Sequence, residues 1–219
     1  MDIRVGTQDG EGTPWSVLSD LAITIVLVLV VYIVLQFVQT FRERAINTEL
    51  AQRQGQVRSA LLQAAKQEWQ VRIDSLAPDR QRVTFSTEVL FETCRANLKP
   101  EGVELLRAMG HVLGERGEYF EAIQVEGHTD RRPIRSLGTD CIYLSNWELS
   151  SARATRVVSL FSAESLVSNV LLSAIGRAEY HPVDTVALDP NRRIELILQY
   201  DRAQVAKGLG GSRNGTGGS

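Results

Sequence analysis

The 219 residues, 43% of them hydrophobic, leave room for one membrane span and one or two modest domains. A net charge of −2 gives no electrostatic case for a nucleic-acid partner. No phosphate loop, HExxH or nucleophile elbow occurs, and His111, His128 and His181 lie far apart without metal-ligand spacing, so no catalytic site, cofactor or metal is expected.

Residues 1–12 (MDIRVGTQDGEG) are short, polar and glycine-containing, which predicts disorder. Thr13 and Pro14 suit the N-cap and first position of a helix that runs to about Phe41, with Trp15 at headgroup level. From Leu21 to Val38 the chain reads LAITIVLVLVVYIVLQFV, eighteen residues without a charge, about the length of a hydrocarbon core. The stretch lacks a basic n-region and a small-residue cleavage site, and its apolar run is too long for a signal peptide; a retained anchor over 14–41 is predicted.

Asp20 is the one acidic residue of this stretch. If the helix starts at Pro14, Asp20 lies on the order of 9 Å below its first turn. An ionised aspartate near a helix centre costs roughly 2.5–3.5 kcal/mol to insert, so such residues face a protein interior or an ion path. A carboxyl withdrawn from water can exchange a proton near neutral pH. The alternative is that Ser19 and Asp20 cap a helix starting at Leu21, with the carboxylate at the water surface. On the residues alone the two readings weigh equally.

Residues 1–19 hold Asp2, Arg4, Asp9 and Glu11, whereas 40–58 hold Arg42, Arg44, Arg53 and Arg58 against Glu43 and Glu49. Taken alone, the positive-inside rule puts the C-terminal part in the cytoplasm. Next, Ile46, Leu50, Val57, Leu61, Ala65, Trp69, Ile73 and Leu76 recur at mostly helical spacing in a polar background. Gly55 weakens the pattern and Pro78 breaks it. The stripe suits pairing with its own copy as well as packing on its own domain, and residues 42–81 read as a helical stalk either way.

From Arg82 the pattern is globular. RVTFS and EVLF read as short strands, and Pro100 opens an amphipathic helix carrying Val103, Leu106, Met109, Val112 and Leu113. AIQVEG, VLLSAIG and RRIELILQY read as strands, with a helix over about 146–161 between the first two. Residues 82–203 therefore form an α/β sandwich, a sheet with helices on one face. Residues 204–219 end in GLGGSRNGTGGS and read as a flexible tail.

Leu149, Arg153, Val157 and Leu160 share one helical face, which places a guanidinium in an apolar stripe where it needs an anionic partner or ligand. Asp130, just past a strand ending at Gly127, could supply the matching charge, either within an internal Arg153–Asp130 salt bridge or across a bound ligand.

Residues 82–200 resemble the OmpA-like peptidoglycan-binding family through GHTD (127–130), LSSARA (149–154) and NRRIEL (191–196). The resemblance implies that Asp130 and Arg153 grip the diaminopimelate of the wall stem peptide, which offers an ammonium to one and a carboxylate to the other. Thr129 and Leu149, in the same motifs, and Asn146, three residues before LSSARA, join the implied site. YLSNWELSSARA and the long insert between Asp130 and Arg153 are closer to MotB-type proteins, whose layout is a short tail, one span with a proton-binding aspartate near its start, a linker and this domain. Asp20 falls at that aspartate's place. Because peptidoglycan lies outside the cytoplasm, the resemblance overrules the charge rule. It implies a cytoplasmic tail (1–13), a single span in the bacterial inner membrane, and a periplasmic linker and domain.

The tail is acidic and only about 45 residues separate span from domain, a layout closer to ZorB, the MotB-like subunit of Zorya anti-phage defence, than to flagellar MotB. In such assemblies a homodimer of this subunit stands inside a five-subunit ring of a multi-span MotA-like (ZorA-like) partner, and ion flow turns the ring. Cys94 and Cys141 both fall in the periplasmic part, where an oxidising compartment permits a disulfide; two separate thiols are the alternative.

Overall fold

The computed structural model describes residues 14–66, 69–134 and 141–211, so the predicted tail at 1–13 and the last residues, 212–219, lie outside the described residues. The chain divides into two units, Met1–Ala45 and Ile46–Ser219. Helix α1 (Pro14–Ala64) contributes to both.

In the first unit α1 is already helical at Pro14, so Asp20 lies within the helix and a cap ahead of Leu21 is ruled out. Its apolar side chains, among them Leu21, Val26, Tyr32 and Phe37, are exposed all round, and it is long and apolar enough to cross a membrane. The polar side chains here satisfy themselves locally. Ser19 Oγ donates to the Trp15 carbonyl at 2.8 Å and Thr24 Oγ1 to that of Asp20 at 2.6 Å, leaving few unpaired donors for a medium that cannot accept them.

The second unit corrects the stalk. Ile46, Leu50, Val57 and Leu61 are buried in the same core as the sheet, so this part of α1 packs on its own domain. Gly55 is tolerated because its open side faces nothing within 4 Å. Polar contacts fix the docking: Gln54 Nε2 donates to the carbonyls of Ala77 and Pro78, both at 2.9 Å, and Gln81 Nε2 reaches the Gln54 carbonyl at 3.3 Å. Gln81 Oε1 in turn accepts from the buried Tyr200 hydroxyl at 2.9 Å.

Residues 72–81, expected to be helical, instead supply strand β1 (Arg72–Ala77), a turn at Pro78 and Asp79, and the start of β2 (Arg80–Ser86). A helix reading of Ile73 and Leu76 mistakes a strand residue buried on one face and an exposed neighbour for one stripe: Ile73 is buried, Leu76 is not. EVLF is likewise corrected. Its place is taken by the helical turn α2 (Thr87–Leu90), because Ser86 Oγ caps it by accepting from Glu88 N at 3.3 Å.

Helix α3 (Pro100–Gly114), strand β3 (Phe120–His128), helix α4 (Asn146–Ala163) and strands β4 (Leu172–Ala178) and β5 (Arg193–Tyr200) follow where the sequence places them. The sheet order is β1-β2-β5-β3-β4, antiparallel except for the β3/β4 pair, which α4 connects as a crossover. Val83 and Phe85 of β2, Val125 of β3 and Leu196 of β5 share the inner face and meet Leu106 and Met109 of α3 and Val157 and Phe161 of α4 in one core. The domain is an α/β sandwich.

The tail begins later than expected. Residues 202–211 form α5 (Arg202–Gly211), started by Asp201 Oδ1 accepting from Gln204 N at 2.8 Å and held by Val205, which is buried in the core. Its Arg202 donates to Asn47 Oδ1 and its Gln204 accepts from Arg53, each at 2.9 Å.

Candidate functional site

Two glycines let α4 lie against the sheet. A Cβ on Gly127 would stand 2.1 Å from the Ser150 carbonyl, and one on Gly176 2.1 Å from Ser151 Oγ. This close approach sets the first turns of α4, with Asn146, Leu149 and Arg153, beside the end of β3, where the chain runs into Thr129 and Asp130. Asn146 Nδ2 donates to the Asp130 and Arg132 carbonyls at 3.3 and 3.2 Å, which holds the residues after the strand in place.

Thr129, Asp130, Asn146, Leu149 and Arg153 all line one cavity of about 220 Å³, together with Phe91 and Arg192. Asp130 and Arg153 do not form the internal salt bridge that the sequence left open. Asp130 Oδ2 instead accepts from Arg132 Nη2 at 2.6 Å and from Arg192 Nη1 at 2.9 Å, and Oδ1 from the Arg132 backbone N at 2.9 Å. Burial raises the Asp130 pKa, but the hydrogen bonds from Arg132 and Arg192 outweigh it and hold the carboxyl below its ordinary range. Oδ1, with one backbone donor, keeps acceptor capacity for an incoming cationic group.

Arg153 is 5% exposed and, among the described residues, has neutral partners: Nε donates to the Arg95 carbonyl at 3.0 Å, Nη2 to the Glu92 carbonyl at 3.5 Å, and the guanidinium lies 5.4 Å from the Phe91 ring centroid. Desolvation lowers its pKa to about 10, the mark of a buried cation without an adequate counter-charge. Thr129 Oγ1 is buried with no hydrogen-bond partner. The cavity thus offers a cation in search of an anion, a carboxylate with a free lone pair, and an orphaned hydroxyl. Such a set suits a small ligand bearing both an ammonium and a carboxylate.

Cys94 and Cys141 are joined by a disulfide, Cα–Cα 5.2 Å, which ties the segment after Asp130 to the turn whose Glu92 and Arg95 carbonyls hold Arg153. Leu149 packs with Cys94 and Ile134 in a small cluster beneath this link. Arg132 and Arg192 were missed as site residues. Arg192 stands in NRRIEL, and it is the pairing of β3 with β5, Gly127 opposite Ile194, that brings the residues just beyond the strand ends together.

Residues 90–195 match the OmpA family model. The C-terminal domain is OmpA-like. Its curated relatives include YtxE of Bacillus subtilis (strain 168), 34% identical over 115 residues, and Motility protein B of the same organism, 28% identical over 120 residues. The alignments take in 51% and 53% of this chain but 45% and 44% of those proteins, so the chain spans less than half the length of these relatives. Among solved structures, a MotB like protein from Desulfovibrio vulgaris superposes with a TM-score of 0.64 over 74% of this chain and 99% of that one; at 20% identity this is a likeness of fold. The cell wall anchor of the T6SS from Pseudomonas aeruginosa superposes with a TM-score of 0.54 at 30% identity, over 64% of this chain and 95% of that one.

Proposed function

We propose that the chain is a peptidoglycan-anchored, MotB-like subunit of an ion-driven motor of the bacterial inner membrane, with no catalytic activity of its own. The observation that carries the anchoring half is Arg153, a buried guanidinium with no carboxylate partner among the described residues, in a cavity shared with Asp130. Diaminopimelate supplies what each side lacks: its carboxylate meets Arg153, its ammonium meets Asp130 Oδ1, and Thr129 Oγ1 completes the polar set. Asn146 and Leu149 shape the cavity.

For the motor half, α1 spans the membrane once with the N-terminus cytoplasmic, and Asp20, inside that helix, carries the ion, a proton in our reading. Two copies of the chain work within five copies of a multi-span MotA-like partner. The acidic tail and the short interval between the apolar run and the core, which begins at Ile46, favour a ZorB role in Zorya defence over flagellar motility. The likeness to a T6SS cell wall anchor supports a second reading, a passive tether between membrane and wall.

Full-length protein in detergent should co-sediment with diaminopimelate-type peptidoglycan sacculi. Asp130→Ala and Arg153→Ala, each removing one charge-assisted contact worth about 1.5–3 kcal/mol, should reduce binding roughly tenfold to a hundredfold. Undiminished sedimentation of both folded variants would overturn the ligand assignment.

A further inference from the structure

On the outer face of the sheet, Glu126 of β3 and Glu195 of β5 are direct cross-strand partners, and His128 follows two residues along the same face of β3. Two carboxylates facing each other across a strand pair repel, and here both are buried, at 8% and 4% exposure. Arginines hold both carboxylates: Arg177 Nη2 and Nε donate to Glu126 Oε1 and Oε2 at 2.6 and 3.0 Å, and Arg193 Nε donates to Glu195 Oε1 at 2.6 Å. The inner oxygens converge on the imidazole. Glu126 Oε2 and Glu195 Oε2 stand 3.6 and 3.7 Å from His128 Nε2, too far for a hydrogen bond. Among the described residues neither ring nitrogen of His128 has a hydrogen-bond partner, although its side chain is 3% exposed.

We propose that Glu126, His128 and Glu195 form a divalent transition-metal site, zinc being the best match, which His181 completes from the loop above. The donor atoms all lie within 4.8 Å of one another. Zinc held at its usual 2.0–2.2 Å would set tetrahedral ligand atoms roughly 3.3–3.6 Å apart, so the two His128–carboxylate distances of 3.6 and 3.7 Å nearly match, and the widest pair closes by up to about 1 Å. Nitrogen-plus-carboxylate donation suits zinc over magnesium or calcium, which prefer all-oxygen sets.

His181 is distant in sequence but not in space. Its ring lies 6.5 Å from that of His128, nearly perpendicular, and faces the same cleft. The loop that carries it is held in place: Asn191 Oδ1 accepts from Val183 N at 2.8 Å and Asp184 N at 3.1 Å, and the His181 carbonyl accepts from Arg193 Nη2 at 3.2 Å. His181 is exposed, and in this proposal its side chain turns to bring the ring to the fourth position. The arginines act as outer partners that orient the carboxylates, and their positive charge, with that of Arg82 3.5 Å from Glu195 Oε1, weakens the hold on a cation.

The test uses untagged full-length protein in detergent, titrated with ZnCl2 against a chromophoric chelator, with MgCl2 as control and CoCl2 as spectroscopic probe. One zinc per chain, no competition by magnesium, and visible d–d absorption of tetrahedral cobalt are expected. Glu195→Gln and His181→Ala should each weaken zinc binding at least tenfold with unchanged circular dichroism. Because Glu195 is buried and its variant can fail to fold, His181→Ala is decisive, since its exposed ring is removable without disturbing the core. Absence of saturable zinc binding, or undiminished affinity in His181→Ala, would overturn the proposal and leave the cluster as a structural ion-pair network.

Discussion

Arg153 is held by backbone carbonyls and an aromatic ring rather than by a carboxylate, and this separates its contribution to binding from its contribution to folding. Arg153→Met keeps the volume and removes a desolvated charge, so stability to urea should stay within about 1 kcal/mol of the parent while sacculus binding is lost. A large loss of stability would mean that the guanidinium is there for the fold. The disulfide acts at the same scale. It closes a loop with a sequence separation of 47, which in the chain-entropy picture stabilises the fold by about 3–4 kcal/mol. Dithiothreitol should lower the melting temperature of the domain and also weaken sacculus binding, because the Cys94 turn carries the carbonyls that hold Arg153. Binding that is unaffected by full reduction would argue that the turn keeps its shape unaided. Asp130 and Arg153 were legible from residue type and helical phase, but their partners were not: a salt bridge between them was as consistent with the sequence as the separate pairings the fold adopts.

Among the elements, α1 shows what a periodic stripe does and does not reveal. The spacing of Ile46, Leu50, Val57 and Leu61 identifies a helix with one apolar face, yet a copy of itself and its own sheet would cover that face equally well. The structure supplies the sheet as the cover. Leu50→Ala should therefore cost about 2–5 kcal/mol in urea unfolding of the full chain, followed by fluorescence of the buried Trp69. A self-pairing stalk would instead lose dimer affinity at little cost to the domain. Strand β1 was misread for the related reason that Ile73 and Leu76 fall three apart, compatible with a helical stripe, while the strand buries only the first of them. The short α2 was lost because a four-residue stretch carries no period, and a serine cap decides it.

For the whole molecule, the motor reading stands or falls on Asp20. Asp20→Asn keeps the size and much of the hydrogen bonding of a protonated carboxyl but cannot release a proton, so membrane insertion and assembly with the multi-span partner should survive while biological activity is lost. Asp20→Glu, which keeps the chemistry and moves the carboxyl by one methylene, should retain part of the activity. A fully active Asp20→Asn protein in an assembled complex would refute the motor and leave the passive tether. Peptidoglycan binding is predicted to be the same in parent and Asp20→Asn, which separates the two halves of the proposal.

The sequence by itself determined the apolar helix, most of the alternation of strands and helices, and the place of Arg153 in the apolar stripe of α4, because each is written in local periodicity. What only the tertiary structure decided depends on which distant segments share a face. The docking of α1 on the sheet, the pairing of Asp130 with Arg192, and the meeting of His128, His181, Glu126 and Glu195 all follow from β5 lying between β2 and β3. No local pattern encodes that order; it is set by which strand edges and apolar faces bury best together.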